Sequence, residues 1–165
     1  MRESIERVTL VWTVLGGGLL LLIVLVTALN VGAYALDAIA GIWGGSVPAL
    51  LGYEDLITYT VGVAVLMLFP YCQLRRGHVA VDLFVAHLPR RLRLAIARTS
   101  LAGMALLVVL LLYWMTLGMF ESRADNVLAP ILGWPEWPFY LPGLVSLGLW
   151  LAIVLLDLLR PAARR

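Results

Sequence analysis

Charged residues gather in a few short segments of the chain and leave long apolar stretches between them. The charge-free stretches cover residues 8–36, 56–74, 99–120 and 137–156. A hydrocarbon core of about 30 Å needs roughly 20 apolar residues in a helix, so each stretch predicts a membrane-crossing α-helix. The expected spans are approximately 8–36, 55–75, 96–120 and 137–159, forming one four-helix transmembrane domain over residues 1–165. The first is long enough to cross with tilt or to continue past the interface. Its Gly16-Gly17-Gly18 run permits close approach by a neighbouring helix, with plain tight packing as the favoured role.

Residues 38–53 are also free of charge, but Gly41, Gly44, Gly45, Pro48 and Gly52 interrupt them. That pattern predicts an irregular loop or a short surface helix rather than a fifth span. Arg2 and Arg7 ahead of the first apolar run, with Ala33-Tyr34-Ala35 after it, have some features of a secretory signal. The run far exceeds the 7–15 apolar residues of such signals, so it is expected to remain a membrane anchor. Pro70 removes a backbone hydrogen bond inside the second span and predicts a kink there, for packing in preference to gating. Trp134, Trp137, Phe139 and Tyr140 cluster as an interfacial belt where the fourth helix enters, and Trp12 is expected at the inner end of the first.

Composition agrees with this reading: 62% of residues are hydrophobic and 13% charged, with a mean hydropathy of +0.98. A soluble globule is excluded, because soluble domains carry about a quarter charged residues. The 12 basic residues are all arginine and face 10 acids, so the formal net charge is only +2. No continuous basic face with interleaved stacking groups exists, and a nucleic-acid partner is not expected. Cys72 is the single cysteine and His78 and His87 the only histidines, too few for a disulfide framework or a metal site within the chain. The absence of lysine removes Schiff-base and P-loop chemistry, and no nucleophile-elbow pattern occurs. Neither an enzyme activity nor a cofactor is expected.

Arginine in short loops stays on the cytoplasmic side. Arg2 and Arg7 precede the first span; Arg75, Arg76, Arg90, Arg91, Arg93 and Arg98 lie around the connection between the second and third; Arg160, Arg164 and Arg165 follow the fourth. The other side keeps Arg123 alone, with Asp37, Glu54, Asp55, Glu121, Asp125 and Glu136, a tally of eleven to one. The expected fold is therefore an all-α membrane protein of four transmembrane helices with both termini in the cytoplasm.

In the second connection, Gly77 suits a helix stop, and Val81, Phe84, Val85 and Leu88 recur at helical spacing. This predicts a short amphipathic helix over 78–88, lying flat at the cytoplasmic surface, with Arg75, Arg76, Arg90, Arg91 and Arg93 near lipid phosphates. On physical grounds alone, a purely topogenic loop explains the same charges.

The stretch Arg75-Arg76-Gly77-His78-Val79-Ala80-Val81-Asp82, after a span that opens with Glu54, resembles the small membrane subunit of TRAP (tripartite ATP-independent periplasmic) transporters, the DctQ-like family. Leu88-Pro89-Arg90-Arg91, Ser122, and Trp137 through Pro142-Gly143 continue the resemblance, which covers most of the chain from Glu54 to Gly143. The sequence departs from the family at Phe69-Pro70-Tyr71-Cys72-Gln73, where a small-residue stretch is common. The resemblance implies a multi-pass subunit of the bacterial cytoplasmic membrane. Its implied partners are a large permease subunit, which holds the substrate and ion sites, and a periplasmic solute-binding protein. The implied role is that of a static scaffold in ion-coupled uptake of an organic acid or similar solute.

That implication fits the placement of ionisable residues, which all sit at span ends, since such groups at mid-bilayer mark ion pathways. Glu54 and Asp55 point about 100° apart on a helix and suit its positive N-terminal end. Polar contact with a partner is favoured for Glu54 over ion coupling. His78 and Asp82, four residues apart, can pair locally. The expected partner or lipid contacts are thus Glu54, Arg75, Arg76, His78, Asp82, Arg90 and Arg91. Two other functions stay open from the residues alone: the membrane anchor of a respiratory complex, for which intramembrane haem ligands are missing, and a small self-contained exporter.

Overall fold

The computed structural model describes residues 2–48, 50–75 and 89–159. They form four long helices: α1 (Arg2–Ala40), α2 (Tyr53–Leu74), α3 (Arg90–Ala124) and α4 (Trp137–Leu158), with a 3-10 turn at Gly41–Trp43. Each is long and apolar enough to cross a membrane. The chain is an all-α membrane protein.

Helix ends differ from the hydropathy limits for local reasons. α1 runs on to Ala40 because Asp37 does not stop it: that carboxylate accepts the backbone N–H of Val47 at 2.8 Å. Residues 44–48 and 50–52 then fold back along α1, with Gly45 N–H bonding Ala40 O at 2.9 Å and Leu50 N–H bonding Asn30 Oδ1 at 2.8 Å. The segment expected as a loop or short surface helix is thus one further helical turn, a 3-10 turn and a returning loop. α3 begins at Arg90, immediately after its N-cap Pro89, instead of near residue 96, because arginine is a good helix former and extends the helix ahead of the apolar run. The predicted in-plane helix over 78–88 lies outside the described residues.

The helices pack as a row in the order α1, α2, α4, α3. α4 is the middle member of the packed core, where Val108, Leu147, Trp150 and Val154 are buried together. The Trp150 ring stacks on Phe69 of α2 at 5.0 Å with an interplanar angle of 7°, tying α2 to the same core. One third (33%) of the most apolar window of α4 is buried within the chain, against 11% for α1 and 6% for α3. The two outer members of the row therefore keep most of their apolar surface uncovered.

α1 approaches α2 through Gly16, where an added Cβ would stand 2.7 Å from Met67 Cβ. Gly17 and Gly18 face open space, so of the three consecutive glycines only Gly16 makes a tight contact. Trp12 packs within the chain. Its ring is half-buried, and its Nε1 donates to Ser146 Oγ at 2.8 Å, joining α1 directly to α4.

Candidate partner and lipid contact site

The polar groups gather at the two ends of the helices. At one, α2 begins after Gly52, whose φ of +79° belongs to the left-handed region. A Cβ there would also lie 2.6 Å from Leu132 Cδ2, so the position needs glycine on both counts. The α3–α4 connection folds against this start as a compact hairpin. Ala129 N–H bonds Trp134 O at 2.8 Å, Gly133 N–H bonds Ala129 O at 2.9 Å, and Leu128 pairs with Pro135.

The hairpin's outward-facing amides are held by Asp55. Its Oδ2 accepts the N–H of Ile131 at 2.7 Å and that of Leu132 at 2.9 Å, and the residue is buried. Glu54, one position earlier, is exposed. The carboxylates diverge as helical geometry requires, and the inward one, expected only as a helix N-terminal acid, also holds the hairpin. The signal that could have found it is the Pro130-Ile131-Leu132-Gly133 turn, whose two central amides need an acceptor. Nearby, the Tyr59 hydroxyl donates to Glu136 Oε1, and the Tyr59 ring stacks on Phe139 at 5.3 Å. Arg123 lies over the Trp137 ring at 5.1 Å, a cation–π contact at the start of α4.

At the opposite end, Arg75 caps α2. Its backbone N–H bonds Tyr71 O at 3.0 Å, its Nε donates to the Tyr71 hydroxyl at 3.0 Å, and its guanidinium carbon lies 5.3 Å from the Tyr71 ring centre. Tyr71 and Phe69, both in the stretch that departs from the resembled pattern, therefore orient Arg75 and stack on Trp150. Gln73 is buried there, and Trp150 Nε1 donates to its Oε1 at 3.5 Å.

Of the site residues expected from the sequence, Glu54 stands at one end of α2, and Arg75 at the other. Arg91 is exposed in the first turn of α3 with Arg90 preceding it in the same helix. Arg76, His78 and Asp82 lie outside the described residues. Glu54 and Arg75 are separated by the full length of α2, about 30 Å at 1.5 Å per residue, so they form two sites instead of one.

These features define a multi-pass helical membrane protein whose charged groups sit at the ends of its spans. The family described as tripartite ATP-independent periplasmic transporters, DctQ component, matches residues 22–164. The chain belongs to this family, the small permease component of TRAP transporters. No curated protein and no solved structure matches it.

Proposed function

We propose that this chain is the non-catalytic membrane scaffold of a TRAP transporter, supporting the large permease subunit during ion-coupled uptake of an organic acid or similar small solute. A periplasmic solute-binding protein delivers the solute. The chain lies in the bacterial inner membrane as one transmembrane domain with both termini cytoplasmic. Glu54 meets the partner at the outer surface, while Arg75, Arg76, His78, Asp82, Arg90 and Arg91 hold lipid headgroups or the partner at the inner one.

The observation that carries this reading is the uncovered apolar surface at both edges of the row. α1 exposes Leu21, Val24, Leu25 and Leu29, and α3 exposes Leu106, Leu107, Leu110 and Trp114. A bundle with two open flanks is suited to widening a larger membrane body. The acids and arginines near its spans sit at their ends, and Asp55 is committed to two amides, which leaves little from which to build an ion path.

The test is solute uptake by the reconstituted three-part complex, normalised to assembled protein, across a range of sodium concentration and pH. Glu54→Gln should retain most of the uptake with unchanged ion dependence, because an amide preserves polar contact. Loss of uptake or altered ion dependence in a fully assembled Glu54→Gln complex would make the carboxylate part of the coupling machinery.

A further inference from the structure

A groove with a volume of about 190 Å³ opens between α2, α3 and α4 near Glu136. Its polar end is formed by Glu136, Tyr59 and Tyr140, with Phe139 beside them. Its apolar wall runs along Gly62, Leu66 and Met115. Gly62 has no atom within 4 Å of where a Cβ would stand, so the floor of the groove is open at that point.

Glu136 is half-buried, and the Tyr59 hydroxyl occupies Oε1. Among the described residues no arginine pairs with it, and Arg123 of the same connection lies over Trp137 instead. A carboxylate partly withdrawn from water at the border of the hydrocarbon is costly without a cation. The rings lining this end attract one, since aromatic faces grouped with an anionic group form the usual composition of an ammonium site. Trp134 and Trp137 place this end of α4 at the level of the headgroups. A cation bound there and attached to an apolar chain can lay that chain along Gly62, Leu66 and Met115, deeper in the membrane.

We propose that this groove is a binding site for a zwitterionic phospholipid with an ammonium headgroup. The ammonium sits at Glu136 Oε2 against the Tyr140 and Phe139 rings, and an acyl chain lies in the apolar trough. Charge complementarity selects this lipid over an anionic one, whose headgroup would meet the carboxylate with like charge. The trough selects it over a free soluble amine.

The test is native mass spectrometry of the full chain in mild detergent, titrated with dioleoyl phosphatidylethanolamine or dioleoyl phosphatidylglycerol. The ethanolamine lipid should be retained about tenfold more, the size of one desolvated cation–π and charge contact. Soluble ethanolamine should not compete. Glu136→Gln should bring the two lipids to near parity, while Glu121→Gln, an exposed acid at the same end of α3, should leave the preference unchanged. Circular dichroism reports whether each variant is folded. If Glu136→Gln does not fold, Tyr140→Leu, which keeps the Tyr59–Glu136 bond, should still reduce the preference. Equal retention of both lipids by the unaltered chain would overturn the proposal. So would a preference that survives Glu136→Gln or Tyr140→Leu in folded protein, or carbodiimide coupling of Glu136 to a partner lysine in a complex that carries no lipid there.

Discussion

Asp55 Oδ2 lies 2.9 Å from the amide nitrogen of Leu132, 77 residues further along the chain, and the same oxygen accepts the neighbouring amide of Ile131. One buried carboxylate thereby fixes the α3–α4 hairpin to the start of α2. Removing the acceptor of two part-buried amides costs roughly 1–3 kcal/mol, more when the acceptor is charged. Asp55→Ala should therefore lower unfolding stability in detergent by about 2–3 kcal/mol, with Asp55→Asn between it and the unaltered chain. Glu54→Gln, at the exposed neighbour, should fall within about 0.5 kcal/mol. Equal stability of Asp55→Ala and Glu54→Gln in a denaturant titration would show that the hairpin does not depend on this contact. Helical geometry alone would have had Asp55 tolerate asparagine at least as well as Glu54 tolerates glutamine, and burial reverses that order.

The three consecutive glycines of α1 should separate sharply on substitution. A Cβ at Gly16 meets Met67 Cβ at 2.7 Å and Ala64 O at 3.2 Å, both parts of α2 that cannot swing away. Gly16→Ala should cost about 1–3 kcal/mol by overpacking. Gly17→Ala and Gly18→Ala meet nothing within 4 Å and should be neutral or slightly stabilising, as alanine favours helix over glycine. Thermal unfolding of the three single variants in one detergent decides between this and a packing role for the whole run.

These two cases show what was legible in the sequence. Four spans could be read because an uncharged run of membrane length has one stable solution, a helix that satisfies its own backbone. Which glycine of Gly16-Gly17-Gly18 faces α2 could not be read, because rotation about the helix axis is set by packing. Asp55 was hidden because its partners are backbone amides, which every non-proline residue carries and which leave no mark in the sequence. The partner of Trp12 is not legible either, because Ser146 lies 134 residues away and supplies the indole N–H with an acceptor inside the protein. The continuation of α1 past its charge-free stretch is legible from the length of that stretch, but the contact of Asp37 with Val47 is not, because the amide it holds is a backbone group.

The Trp12–Ser146 contact is a polar tie between α1 and α4, helices that are not adjacent in the row. Ser146 Oγ accepts from Trp12 and donates to Pro142 O at 2.8 Å, so the serine keeps its own donor satisfied when the indole is removed. A double-mutant cycle of Trp12→Phe and Ser146→Ala, read by unfolding in detergent, should return a coupling of about 0.6 kcal/mol, the average for interhelical hydrogen bonds in membranes, and no more than about 1.7 kcal/mol. A coupling near zero would mean that α1 is held by its contact with α2 alone.

Orientation rests on the arginine asymmetry and can be checked directly. Reporters fused after Arg7, after His87 and after Arg165 should read cytoplasm, and fusions near Gly45 and Asn126 should read periplasm, since arginine-rich short loops stay inside. A periplasmic signal from the His87 fusion would invert or break the four-span arrangement.

Arg75 closes α2 at the end opposite Asp55. The guanidinium is already engaged with Tyr71, through Nε to the hydroxyl and across the ring, so it is held in place before any phosphate arrives. A pre-placed arginine loses less side-chain freedom on binding a headgroup than a free one, and juxtamembrane basic residues are worth about 1 kcal/mol each at an anionic surface. Arg75→Ala with Arg76→Ala should therefore weaken anchoring or assembly by about 2 kcal/mol, roughly a thirtyfold shift in an equilibrium. Arg75→Lys separates the two contributions: lysine keeps the charge but cannot reproduce the Nε bond to Tyr71. Tyr71→Phe keeps the ring and removes only the hydroxyl. If attraction to phosphate dominates, Arg75→Lys and Tyr71→Phe should both retain most of the complex recovered from anionic membranes, and the loss in the double alanine variant should shrink as salt rises. If Arg75→Lys and Tyr71→Phe instead fail as badly as the double alanine variant, and salt makes no difference, the arginine acts as a cap on α2 and the headgroup role is wrong.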